Sequence, residues 1–102
     1  MTYLVTIITN TPDAPWDYSD EESPVLDAIR RTLGNIGSTL DRATHVGGPR
    51  IFPPRYYAHV DTTGTTADIF QEALQRTWSH TKTFRDEPVP EAEQILVEDL
   101  SS

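Results

Sequence analysis

Residues 55–78, RYYAHVDTTGTTADIFQEALQRTW, read as a strand, a loop and a helix in succession. Tyr56, Ala58 and Val60 alternate with Tyr57, His59 and Asp61, the two-residue period of a strand with one buried face and one exposed face. Residues 61–66, DTTGTT, hold no apolar side chain, and Gly64 supplies the backbone freedom of a turn. A helix is expected at once afterwards. The hydroxyl of Thr65 or Thr66 can accept a bond from a first-turn amide that has no partner inside the helix. With Thr65 as the cap, Asp68 falls three residues on, a weaker version of the capping box. Ile69, Phe70, Ala73, Leu74, Thr77 and Trp78 recur at helical spacing and predict one apolar stripe. Asp68, Gln71, Glu72, Gln75 and Arg76 make the polar face.

The segments on either side supply what would cover that strand and stripe. Residues 3–9, YLVTIIT, are β-branched and aromatic, with apolar side chains on both parities, as a central strand requires. Residues 10–23 break the pattern with Pro12, Pro15, Trp16, Tyr18 and the acids Asp13, Asp17, Asp20, Glu21 and Glu22, a long acidic loop. Ser23-Pro24 then opens a helix, because Ser accepts first-turn amides and Pro at the first helical position loses no hydrogen bond. Leu26, Ile29, Leu33 and Ile36 give its apolar face, with Val25 alongside. The helix ends at Gly34 or at Gly37, and Gly37 is the better left-handed cap. Residues 40–46, LDRATHV, form a weaker strand whose Asp41 and Arg42 suit a sheet edge. Residues 47–54, GGPRIFPP, are a turn-rich connection carrying Ile51 and Phe52. A loose segment follows at 79–92, with Phe84, Pro88 and Pro90, and residues 93–98, EQILVE, are a last short strand.

The order β-α-β-β-α-β is that of the ferredoxin-like α+β sandwich, a four-stranded antiparallel sheet with two helices on one face. The first and third strands are expected at its centre, and the second sheet face is expected to stand open. Residues 4–9, LVTIIT, and the helix through Gly37 resemble ACT-type regulatory domains in topology, and that resemblance implies dimers that bind amino acids. The long acidic loop stands where such domains carry a short glycine-bearing one. Residues 55–60, RYYAHV, resemble the first ribonucleoprotein signature of RNA-recognition motifs, which places a basic residue, aromatics and a small residue on the third strand of this topology. The chain lacks the signature's glycine, and His59 replaces one aromatic.

Composition narrows the function. A chain of 102 residues is expected to form one domain, able to bury a core without staples. It has no cysteine, which excludes disulfides, thiolate metal sites and a cysteine nucleophile. A net charge of −8, with basic residues scattered beyond the Arg30-Arg31 pair, opposes direct binding to a nucleic-acid backbone. No apolar run approaches the roughly 20 residues that span a bilayer. The start, MTYLVTIITN, passes directly into a strand pattern with no basic leader, so the expected location is the cytoplasm or the inside of a viral particle.

No motif demands a cofactor. No serine sits in a nucleophile elbow, and no Gly-rich loop leads from a strand into a helix. His45, His59 and Asp61 meet as metal ligands only if the second and third strands pair in one register, and a one-residue slip separates them. His59, Tyr57 and His45 are the candidates for a pocket in a small dimeric enzyme or ligand-binding protein. Trp16, Tyr18, Asp20, Glu21, Glu22, Ile51 and Phe52 are the candidates for protein contact, being aromatic, apolar or acidic groups on connecting loops. The acids of the first loop also suit a decoy that imitates nucleic acid for a positively charged channel. The leading expectation is a small non-enzymatic interaction subunit or adaptor, such as a virion component or an inhibitor of a host factor. Its partner would be another protein or a second copy.

Overall fold

Strand β1 (Thr2–Thr9) runs through the middle of the sheet in the structure, a computed structural model that describes residues 1–9, 24–45, 55–82, 88–89 and 91–100. Tyr3, Val5 and Ile7 point into the core and are fully buried, while Leu4 and Ile8 lie half-buried on the other face. The double-sided pattern in the sequence thus has its physical origin in a central strand. Helix α1 (Pro24–Asn35) buries Val25, Leu26, Ile29 and Leu33. It ends in a Schellman motif: Gly37 takes φ +73°, its N–H bonds to the Gly34 carbonyl, and the Ser38 N–H bonds to the Leu33 carbonyl. The ending at Gly37 is therefore the one the chain uses.

Strand β2 (Thr39–His45) pairs with β3 (Arg55–Thr63), which pairs with β1, which pairs with β4 (Ala92–Asp99). All three pairings are antiparallel and the order is β2-β3-β1-β4. The first and third strands are central, as expected, and the charged second strand is an edge. Helix α2 (Ala67–Trp78) follows β3. Buried residues of both helices join Tyr3, Val5, Ile7, Tyr56, Ala58, Val60, Ile95 and Val97 in one core, so both helices cover the same face of the sheet. Tyr3 anchors the centre. Its ring meets Phe70 edge-on at 5.8 Å, and its hydroxyl donates to the Thr65 carbonyl at 2.9 Å.

Two local expectations, the end of β3 and the place of Ile69, are corrected, and the choice of helix cap is decided for Thr66. Residues 61–63 continue β3 rather than starting the loop, because Met1 and Thr39 offer carbonyls to Thr62, through its N–H and its hydroxyl respectively. The turn is confined to Gly64, at φ +95°. The helix cap is Thr66, whose hydroxyl accepts from Ile69, so Asp68 is not at the capping-box position relative to the cap. Ile69 is 52% exposed and leaves the stripe, since it stands about 100° round the helix from Phe70, on the outer flank. Phe70, Ala73, Leu74 and Trp78 are buried as expected. Within the loose segment, Val89 donates to the Thr81 carbonyl, and Lys82 and Pro88 form an isolated bridge.

Candidate functional site: the open sheet face

The register sets which side chains share the sheet face opposite the two described helices. Thr6 of β1 stands opposite Tyr57 of β3 and Leu96 of β4, with Leu4 and Ile8 two residues away on its own strand. Leu4, Ile8, Tyr57 and Leu96 are all half-buried, and they form an apolar centre. Thr6 is the small residue in the middle and is only 7% exposed. Its hydroxyl has no protein partner among the described residues. A hydroxyl shaded from solvent without a partner costs free energy that a bound group can recover.

Around that centre the face turns polar. Leu4 lies between His59 and Glu98 in register, and Thr44 stands beyond His59 on β2. One row further, Arg42 pairs in register with Asp61, and Asp61 accepts from the Thr2 hydroxyl at 2.7 Å. Arg42, His59 and Glu98 are exposed. Thr2, Arg42, Thr44, His59 and Asp61 line a shallow hollow of about 280 Å³. Arg42, His59 and the Asp61 carboxylate thus lie on the β2–β3 side of the face, and Glu98 on the β4 side.

The sequence candidates fare differently. Tyr57 and His59 share this face two residues apart, but Tyr57 belongs to the apolar centre and His59 to the hollow. Thr44, not His45, stands opposite His59, and the His45 backbone pairs with Ala58. The register that would make a histidine pair is off by one residue. No group of three metal-ligating side chains occurs among the described residues. Trp16, Tyr18, Asp20, Glu21, Glu22, Ile51 and Phe52 lie outside the described residues, as do Ser23 and Phe84. Leu4, Thr6, Ile8, Leu96 and Arg42 were not singled out as site residues. The signal for the first three was present in the apolar parity of β1 that the helices do not use.

Two tyrosines beneath the face are held protonated. Burial pushes the Tyr56 phenol up to about 12, against a smaller opposite effect of its hydrogen bond with Thr9. Burial, followed by the nearby Asp99 carboxylate, also raises Tyr3. Neither is poised as an acid or base near neutral pH. No helix among the described residues is long and apolar enough to cross a membrane. No protein-family model matches the chain, and no curated protein matches it.

Proposed function

We propose that this chain is a non-enzymatic interaction subunit whose contact surface is the open face of its sheet. The observation that supports this reading is the Thr6 centre: an apolar patch of Leu4, Ile8, Tyr57 and Leu96 around a shaded hydroxyl with no partner among the described residues, rimmed by Arg42, His59 and Glu98. An apolar centre with a polar rim is the anatomy of a protein interface. A sheet in an α+β sandwich tolerates a solvated second face, and polar residues serve there more cheaply than leucine and isoleucine. The assembly could be a particle or an adaptor complex, and the same surface would serve an inhibitor of a host factor.

The test is association of the double variant Leu4→Asp, Leu96→Asp, followed by light scattering and by retention of partners from source-cell lysate. Wild type is expected to associate with itself or to retain a partner. The variant is expected to lose that association while keeping its far-ultraviolet circular dichroism. Association equal to wild type in a folded variant counts against the reading, and so does a wild type that associates with nothing.

A second reading draws on the hollow beside His59. Arg42, Thr44 and His59, with the Asp61 carboxylate that accepts from Thr2, would suit a small polar molecule carrying both an acidic and a basic group, and the chain would then be a ligand-binding protein. His59→Ala would weaken such a ligand and leave stability nearly intact; a ligand that binds the variant as well as wild type would end this reading.

A further inference from the structure

The outer edge of β4 has a gap in its hydrogen bonding. Val97 turns its N–H away from β1 and donates it to Gln71 Oε1 of α2 at 3.0 Å. Backbone groups along a strand repeat every two residues, so Ile95 turns its N–H and C=O the same way. The register irregularity between Ile8 and Thr9 falls beyond Ile95 and does not disturb this parity. Ile95 has no partner for these groups among the described residues, although it is only 3% exposed. Ile95 also lines a cavity of about 580 Å³ between the end of α2 and the start of β4. Trp78, Thr81 and Ile95, all nearly buried, line it together with Val89, and Glu91 and Glu93 stand exposed at its mouth.

We propose that this edge receives an extended, basic segment of another protein, which pairs with the backbone at Ile95 and seats one long side chain in the cavity. Three observations specify that occupant. An unpaired strand edge recognises extended backbone, and the Gln71 cap at Val97 confines the pairing to the first half of β4. The cavity lies within the usual volume range of sites for small groups, and its lining joins the apolar Trp78, Val89 and Ile95 with the exposed acids Glu91 and Glu93. Such walls suit an aliphatic stem with a cationic head, a lysine or arginine side chain. The edge itself is acidic, with Glu91, Glu93, Glu98 and Asp99 and no basic residue in β4. A second copy pairing edge to edge would set these acids against each other, so the occupant is a basic chain instead.

This inference rests on the reading of the chain as an interaction protein, but it concerns a different surface from the Thr6 centre. The test uses a fluorescent decapeptide of alternating valine and lysine, followed by anisotropy and by exchange of the Ile95 amide. Saturable binding is expected, with slowed exchange at Ile95. Methylating every second peptide nitrogen is expected to weaken binding at least tenfold, because it removes the pairing donors without touching the protein. Glu91→Gln with Glu93→Gln is expected to weaken binding severalfold at low salt. Absence of saturable binding below millimolar peptide overturns the proposal. So does binding that survives methylation on both peptide edges, which would assign the cavity to the side chain alone. Protection of Ile95 that rises with protein concentration without peptide would assign the edge to a second copy and also overturn it. The Leu4→Asp, Leu96→Asp variant should bind the peptide normally, so failure at the sheet face and failure at the edge are told apart.

Discussion

Tyr56 lies under the sheet with its phenol held protonated up to about 12, where an unfolded chain would ionise it near 10.0. The folded state therefore binds its proton more tightly. The stability this contributes is complete below pH 10 and is lost as pH rises from 10 through about 12. Tyr56→Phe is expected to lessen the alkaline loss of stability measured by urea titration at successive pH values; the raised Tyr3 leaves some of it in place. An unchanged alkaline profile would show that Tyr56 ionises as freely in the folded chain as in the unfolded one. The two glycines of the α1 terminus make a sharper pair. Gly37 has φ +73°, a conformation that costs a side-chain-bearing residue about 1 kcal/mol or more. Gly34 lies within the helix and a Cβ there meets nothing within 4 Å. Chemical denaturation should find Gly37→Ala destabilised by about 1 kcal/mol and Gly34→Ala stabilised by up to about 1 kcal/mol. The same sign for both would show that the Schellman geometry does not set the helix end. Threonine is the other residue-scale theme. Thr32, Thr62, Thr77 and Thr81 donate their hydroxyls to nearby carbonyls, which lets polar side chains pack at or near the core.

At the scale of elements, the order of strands and helices was legible because each has a clear period. The alternation of Tyr56, Ala58 and Val60 and the spacing of Leu26, Ile29 and Leu33 define faces without any tertiary information. The ends were less legible. Residues 61–63 carry no apolar side chain and look like loop, yet the Met1 and Thr39 carbonyls hold Thr62 in the ladder. Those partners lie 61 and 23 positions away, as Met1 and Thr39 show, so no local window contains them. The meeting of His45 with His59 depended on register, which the sequence leaves open by one residue. The Gln71 cap on β4 was equally out of reach, because it joins the polar face of a helix to a strand edge 26 positions on. That cap yields its own prediction. Gln71→Ala removes the acceptor of the Val97 N–H, and the loss is expected to cost about 1 kcal/mol. Hydrogen exchange should then accelerate at Val97 while the amides of β1 stay protected. Equal protection at Val97 in the variant would mean that the packing of α2, not the hydrogen bond, shields the edge.

At the scale of the whole molecule, two surfaces of opposite character lie on one acidic chain, and salt separates them. Four strands at ~4.8 Å spacing and about seven residues at ~3.3 Å give the open face roughly 440 Å² in projection. Its centre is apolar, and the net charge of −8 repels a second copy or any acidic partner at long range. Screening shortens that repulsion to about 10 Å at 0.1 M salt and about 3 Å at 1 M, while apolar contact is left intact. Association of two such chains through Leu4, Ile8, Tyr57 and Leu96 is therefore expected to strengthen as salt is raised. Binding of a basic peptide at Glu91 and Glu93 is expected to weaken over the same range. Light scattering and peptide anisotropy in one salt series check both slopes on one preparation. A self-association that collapses with salt would move the contact away from the Thr6 centre and onto the Arg42 and Glu98 rim, where opposite charges on the two sides of the face would hold the copies together.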